Sequence, residues 1–205
     1  DVLGSRGLGD VYKRQLSRDA SKEEILERIN NNTITDILNK IEVKAGDVVM
    51  VKAGTIHAIG AGVFICEIQQ NSNCTYRMYD YDRRDKFGNP RELHVKKALD
   101  VVDNHKYIKD NKTEVVIARN EHFTEERLVQ CKYFEVYKYD VNDEAKITVD
   151  EASFVSVLFI NGSGTIETDD YEKTMEFKAG DSFFVSAGLR SIIIKGQATM
   201  VVTRV

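Results

Sequence analysis

One stretch of this chain occurs twice. Val43-Lys44-Ala45-Gly46-Asp47-Val48-Val49-Met50-Val51-Lys52-Ala53-Gly54 returns 134 positions later as Phe177-Lys178-Ala179-Gly180-Asp181-Ser182-Phe183-Phe184-Val185-Ser186-Ala187-Gly188, with seven positions identical. In each copy Gly-Asp predicts a tight turn, an apolar strand follows, and Ala-Gly predicts a second turn. Two copies of one β unit restrict the possible folds more than any composition figure. The same offset sets His57 opposite Ser191. Only the first copy keeps an imidazole, as expected if that copy serves chemistry and the second serves architecture.

The remaining pattern is mainly β with a few short helices. Ser21 and Glu24 form a capping-box pattern, and Ile25, Leu26 and Ile29 recur at helical spacing, which predicts a helix over 21–30. A second short helix is expected over Thr35–Lys40. From Val43 the period changes to two and β-branched residues increase, which reads as strand. Arg91 to Val102 returns to helical spacing. Beyond residue 112 the pattern is short strands: 114–118, 131–139, 146–149, 154–160, 165–168, 182–186, 191–194 and 199–203. Asn161-Gly162-Ser163-Gly164 is expected to be a hairpin turn between two of them. This is the signature of a jelly-roll sandwich or barrel. Residues 1–15 fit no period and are set aside as a non-native or disordered leader.

Composition restricts function. Of 205 residues, 42% are hydrophobic and 30% charged, the net charge is −4, and no basic stripe is present, so nucleic acid is not an expected partner. The longest apolar runs are too short to span a bilayer and no signal sequence is evident, so a cytoplasmic protein is expected. Cys66, Cys74 and Cys131 are odd in number and lack CxxC spacing, which predicts reduced, mostly buried thiols. No Gly-rich loop ending in Lys-Ser/Thr suggests nucleotide binding.

The candidate site lies between residues 51 and 84. His57 follows the Ala-Gly turn on an expected strand, where a rigid wall would fix the direction of an imidazole ligand. In Phe64–Gln70, alternation puts Phe64, Cys66 and Ile68 on one face, expected to pack against a second sheet. Ile65, Glu67 and Gln69 lie on the other, expected beside His57. Arg77 suits either a structural salt bridge or a cation that stabilises an oxyanion. Arg83 suits phosphate capture or surface charge equally. His57 and Arg77 are expected to converge on one cavity. His94, His105 and His122 read as surface or capping residues.

Three stretches carry a resemblance: AGTIHAIGAG, EIQQNSNCTYRMYDYDR and RELHVKKALDVV. Together they resemble type I mannose-6-phosphate isomerases of the short bacterial kind, over about residues 16–205. Gly46 through Gly54 to His57 also has the spacing of the second cupin motif, with Lys52 where that motif usually has proline. The resemblance implies a tandem, cupin-type jelly roll. It also implies a zinc-dependent enzyme that interconverts mannose 6-phosphate and fructose 6-phosphate through an enediolate. By motif, His57 resembles the last of four metal ligands, Arg77 the active-site arginine, Glu67 a pocket carboxylate and candidate base, and Arg83 a phosphate-binding cation. Gln69 is a substrate-binding candidate. Asn73 stands where aspartate is often found.

No Gln-x-His-Pro motif or earlier histidine supplies the other metal ligands. The chain is therefore expected to be a C-terminal part whose first barrel is incomplete, which binds zinc poorly and is inactive alone. The expected layout is a helical segment over 16–41, a catalytic cupin part over 42–111 and a non-catalytic barrel over 112–205, of unknown oligomeric state. The alternative is a non-catalytic cupin module that binds sugar or regulates a partner.

Overall fold

Ser21 starts the first helix by accepting a hydrogen bond from the Glu24 amide at 3.1 Å, which satisfies one of the donors a helix start leaves open. The Glu24 carboxylate carries Arg18 and Arg28, so the helix entry is stapled by charge as well as by its cap. The computed structural model describes residues 12–60, 62–72, 74–81, 83–108, 115–169 and 174–205. The chain divides into two units, Asp1–Asp110 and Asn111–Val205.

In the first unit, β1 (Tyr12–Leu16) is followed by α1 (Lys22–Asn30), a 3-10 turn (Ile34–Ile37), β2 (Leu38–Glu42), β3 (Ala58–Ile59) and α2 (Val95–Val101). The sheet order is β2-β1-β3, all antiparallel. Ile25 and Ile29 of α1 join Leu16, Ala20, Ile34 and Ile37 in a small buried cluster. Two expectations change here. Residues 12–15, set aside as leader, belong to the central strand; residues 1–11 of that leader lie outside the described residues. Thr35–Lys40 is a 3-10 turn running into β2, because Leu38–Glu42 finds ladder partners in β1 that local propensity could not foresee.

The expected strands over 43–52 and 64–70 are not strands. Their backbone joins no ladder among the described residues, and Phe64, expected to pack inward, is 88% exposed. A period of two records only what a segment could do; a strand forms when a partner accepts its hydrogen bonds. Cys66, in the second of these stretches, and Cys74 are exposed, and Cys131 is half-buried, so the thiols are free but not mostly buried.

Among the described residues the elements of the second unit are all strands: β4 (Val115–Arg119), β5 (Phe123–Gln130), β6 (Glu135–Val141), β7 (Glu144–Val149), β8 (Val155–Thr168), β9 (Thr174–Lys178), β10 (Ser182–Val185) and β11 (Arg190–Arg204). One sheet runs β10-β8-β11-β6-β5-β4, with β7 added to β11 and β9 to β8. Ala145, Ile147 and Val149 alternate inward along β7, as a strand with one buried face requires. Phe159 stacks on Phe177 at 3.7 Å between ring centroids, and Phe183 meets Phe159 edge-on, so aromatic rings fill the interior.

The expected hairpin at 161–164 is instead the middle of β8. Ser163 pairs with Gln197 and Gly164 with Gly196, in the long ladder with β11. A Cβ on Gly164 would lie 2.0 Å from the Lys195 oxygen, and one on Gly162 1.9 Å from the Gln197 oxygen. These glycines permit a close approach of two backbones, the other use of glycine in a strand. For the same reason the two strands expected over 191–194 and 199–203 are one, β11.

The repeat is reproduced in geometry at its first turn. Gly46 and Gly180 have φ of +90° and +92°. The Asp47 carboxylate accepts from the Lys44 amide at 3.0 Å, and Asp181 from the Lys178 amide at 2.9 Å. Gly54 and Gly188 have φ of +82° and +79°. The motif therefore fixes its own turns in both settings, whereas a ladder forms over β10 and not over 48–52.

Candidate functional site

The His57 loop is held from behind. The Asp103 amide donates to the Gly54 oxygen at 2.9 Å, and Thr55 bridges to Asp103. This docks the loop on the chain just past the end of α2. The His57 ring is exposed, and its Nδ1 lies 2.9 Å from the Thr55 oxygen. A carbonyl can only accept, so Nδ1 carries the proton and Nε2 presents its lone pair outward. Metal-ligating histidines are oriented by the same kind of contact. The equivalent position in the second copy, Ser191, is buried and donates to the Asp169 carboxylate, which sits below its ordinary range chiefly through that bond.

Arg77 is held at the other end of α2. A chain excursion leaves at Arg77, turns around Asp85 and returns at His94. At its tip the Asp85 carboxylate accepts from the amides of Phe87 at 2.8 Å and Asn89 at 2.9 Å, and Arg84 bridges to Pro90. Midway, Arg91 grips the buried Asp80 carboxylate through both Nε and Nη2, the two-point pairing that suits a guanidinium. At its base the His94 amide donates to the Arg77 oxygen at 2.7 Å, the Arg77 amide donates to His94 Nδ1 at 3.2 Å, and Arg77 Nη1 donates to the Glu92 oxygen at 3.1 Å. Arg83 is exposed on the same excursion, its guanidinium 5.6 Å from the centre of the Tyr81 ring. Asn73 lies outside the described residues.

The structure thus gathers Arg77 and Arg83 on one excursion and ties His57 and Arg77 to opposite ends of one helix. With seven residues α2 is about 10 Å long, so it acts as a short spacer between the two anchors. Glu67 and Gln69 are exposed on the unpaired 63–70 stretch, and no hydrogen bond or ion pair joins any two of His57, Glu67, Gln69, Arg77 and Arg83. The cavity behind the His57 loop, about 280 Å³, is lined by Leu16, Met50, Lys52, Thr55, Ile56 and Tyr107 among others, but by none of those five. His57 and Arg77 therefore do not meet in that cavity.

Sequence reasoning missed His94. It occupies the N-cap position of α2 but makes no side-chain cap, and its ring serves Arg77 instead. The signal was present in the Asp85-to-Pro90 turn residues, which fold residues 77 and 94 back together. His105 and His122 are exposed, as expected. Each is bonded to an aspartate, Asp103 at 2.7 Å and Asp143 at 2.9 Å, which raises its pKa.

Comparison with known proteins bears on what this geometry belongs to. Residues 124–205 match the family profile "Mannose-6-phosphate isomerase, cupin domain". YvyI of Bacillus subtilis (strain 168), described as a candidate mannose-6-phosphate isomerase, is 41% identical over 190 residues, covering 90% of this chain and 57% of the relative. Mannose-6-phosphate isomerase ManA of the same strain is 33% identical over 193 residues, covering 89% and 56%. A crystal structure of mannose 6-phosphate isomerase from Bacillus subtilis superposes over 96% of this chain and 61% of its own, with a TM-score of 0.85 at 36% identity. Along most of its length the chain is similar to mannose-6-phosphate isomerases, and its second unit carries the cupin-domain match. The chain spans a little over half the length of the curated relatives it matches. The cupin-domain match of this mannose-6-phosphate isomerase relative falls in the second unit, whereas the motifs that carry the resemblance in sequence lie in the first.

His57 has the right tautomer and exposure, but no group of three His, Cys, Asp or Glu side chains able to hold a metal ion occurs among the described residues. Zinc sites use three or four protein ligands, so the described residues do not fit a complete one. No helix among the described residues is long and apolar enough to cross a membrane.

Proposed function

We propose that this chain is part of an enzyme that interconverts mannose 6-phosphate and fructose 6-phosphate. The observation that carries the reading is the likeness to mannose-6-phosphate isomerases along 90% of the chain, at 41% identity to one of them. The reaction moves a proton from C2 of the aldose to C1 of the ketose, with negative charge developing on oxygen between the two events.

Arg77 is the group assigned to that charge. Its main chain is clamped at two points, and its guanidinium keeps donors beyond the Nη1 contact with which to meet an oxyanion. Arg83, further along the same excursion, is assigned to the phosphate, Glu67 to proton transfer and Gln69 to sugar hydroxyls. Glu67 and Gln69 lie two residues apart on one exposed stretch, which leaves both side chains accessible to a bound sugar. Zinc is the proposed metal, with His57 one of its ligands and the remaining ligands supplied by polypeptide outside this chain. A cytoplasmic location suits a sugar-phosphate substrate.

The test supplies this chain with zinc and with the portion of YvyI outside the matched region, and follows fructose 6-phosphate. The chain alone is expected to be inactive and the mixture active. In the mixture, Arg77→Ala is expected to lower kcat by about a hundredfold or more with little change in Tm. Turnover close to that of the unaltered mixture would remove Arg77 from the chemistry, and a mixture without activity would count against the reading as a whole.

A further inference from the structure

We infer that His94 is a positioning residue for Arg77, its imidazole holding the arginine main chain at the point from which the guanidinium departs. The inference rests on the assignment of Arg77 above. It adds a residue that neither the motif resemblance nor the charge pattern selects.

Three contacts carry it. The His94 amide donates to the Arg77 oxygen at 2.7 Å, and His94 Nδ1 accepts from the Arg77 amide at 3.2 Å. A ring nitrogen stands where a carbonyl would complete a pair of ladder bonds, so one residue satisfies both main-chain groups of the other. The third contact runs from Arg77 Nη1 to the Glu92 oxygen at 3.1 Å, two residues before His94 on the same returning segment. Arginine loses about 2 kcal/mol of rotamer entropy when fixed, and anchoring it at both its root and its tip meets that loss during folding, before any ligand arrives.

The tautomer follows from the partners. Nδ1 accepts, so it is unprotonated and the ring proton is on Nε2, which lies 3.9 Å from the Glu92 carboxylate. The identity of the residue also argues for a purpose. His94 begins α2, where Ser, Thr, Asp or Asn would cap the helix and contribute about 1 kcal/mol. This position forgoes the cap: no side-chain cap bond forms, and α2 has no acidic residue in its first turn. A local rule broken where a compensating contact serves a candidate site residue is the pattern expected at functional positions.

The clamp has a direct spectroscopic signature. An N–H···N hydrogen bond transmits a scalar coupling between its two nitrogens, here the Arg77 amide and His94 Nδ1. In ¹⁵N-labelled chain this coupling is expected. In His94→Ala it is lost and the Arg77 amide exchanges about tenfold faster, the worth of roughly one hydrogen bond. His94→Asn puts an amide oxygen near the position of Nδ1 and is expected to keep exchange within about threefold of the unaltered chain. It also keeps the test open if the alanine variant does not fold.

In the complemented isomerase assay, His94→Ala is expected to lower kcat more than it raises KM, with His94→Asn restoring most of the loss. No coupling, or Arg77 exchange indifferent to both substitutions, would overturn the inference. If the coupling is present but Arg77→Ala leaves turnover intact, the clamp stands and the assignment of Arg77 fails, so the two failures are distinguishable.

Discussion

A Cβ built on Gly54 would lie 2.6 Å from the carbonyl oxygen of Val101, at the end of α2. Gly54 also has φ of +82°, a region that costs other L-residues about 1–2 kcal/mol. The glycine before His57 is therefore held by conformation and by contact together, and the contact is with the helix whose other end carries the Arg77 clamp.

Gly54→Ala is expected to destabilise the first unit by roughly 3 kcal/mol, the left-handed penalty plus a backbone clash. Gly46, at φ +90° with nothing within 4 Å of an added Cβ, carries only the first penalty, so Gly46→Ala should cost about 1 kcal/mol. Urea denaturation of the two variants checks the ranking. Equal midpoints would mean that the Val101 contact yields without cost.

Gly164 tests the corrected reading of the 161–164 segment. As part of a hairpin turn it would lose at most the left-handed penalty of about 1–2 kcal/mol on becoming alanine. As the meeting point of β8 and β11, with an added Cβ 2.0 Å from the Lys195 oxygen, it should lose roughly 3 kcal/mol or more. The thermal midpoint of Gly164→Ala, compared with that of Gly180→Ala on the open repeat turn, separates the two.

Gln15 is fully buried in β1, and neither amide atom of its side chain has a partner among the described residues. An unsatisfied buried polar group costs about 1–3 kcal/mol. Gln15→Met, similar in length and apolar, is expected to raise stability by about 1 kcal/mol. A decrease in the denaturation midpoint would show that the amide is satisfied in solution.

Glu24 should give the first unit part of its acid sensitivity. The bond from Arg18, then that from Arg28, lowers its pKa from 4.5 to about 2. A carboxylate with a depressed folded pKa contributes stability above its unfolded value and loses it as pH falls through the folded one. Glu24→Gln is therefore expected to be less stable than the unaltered chain near neutrality, with the difference shrinking from about pH 4.5 down to about pH 2. Denaturation midpoints across that range, at low salt to limit screening, check the sign.

Much of the fold was legible because the forces that set it act locally. Gly46-Asp47 and Gly180-Asp181 form the same turn in both copies, since a left-handed glycine and an aspartate that accepts from the amide three residues back need nothing beyond their own segment. Ser21 capping α1 is readable for the same reason. Arg77 and His57 were identifiable as candidates by motif.

Tertiary structure decided the rest. The chain alone could not say that 182–185 would join a ladder while 48–52 would not, because a strand is completed by its neighbour. Nor could it say that Gly162 and Gly164 serve a backbone crossing, or that residues 12–16 form a central strand. It also read His94 as a surface or capping residue. An imidazole becomes a clamp only when a turn brings residue 94 back to residue 77, and hydrogen bonds between distant positions leave no periodic trace in sequence.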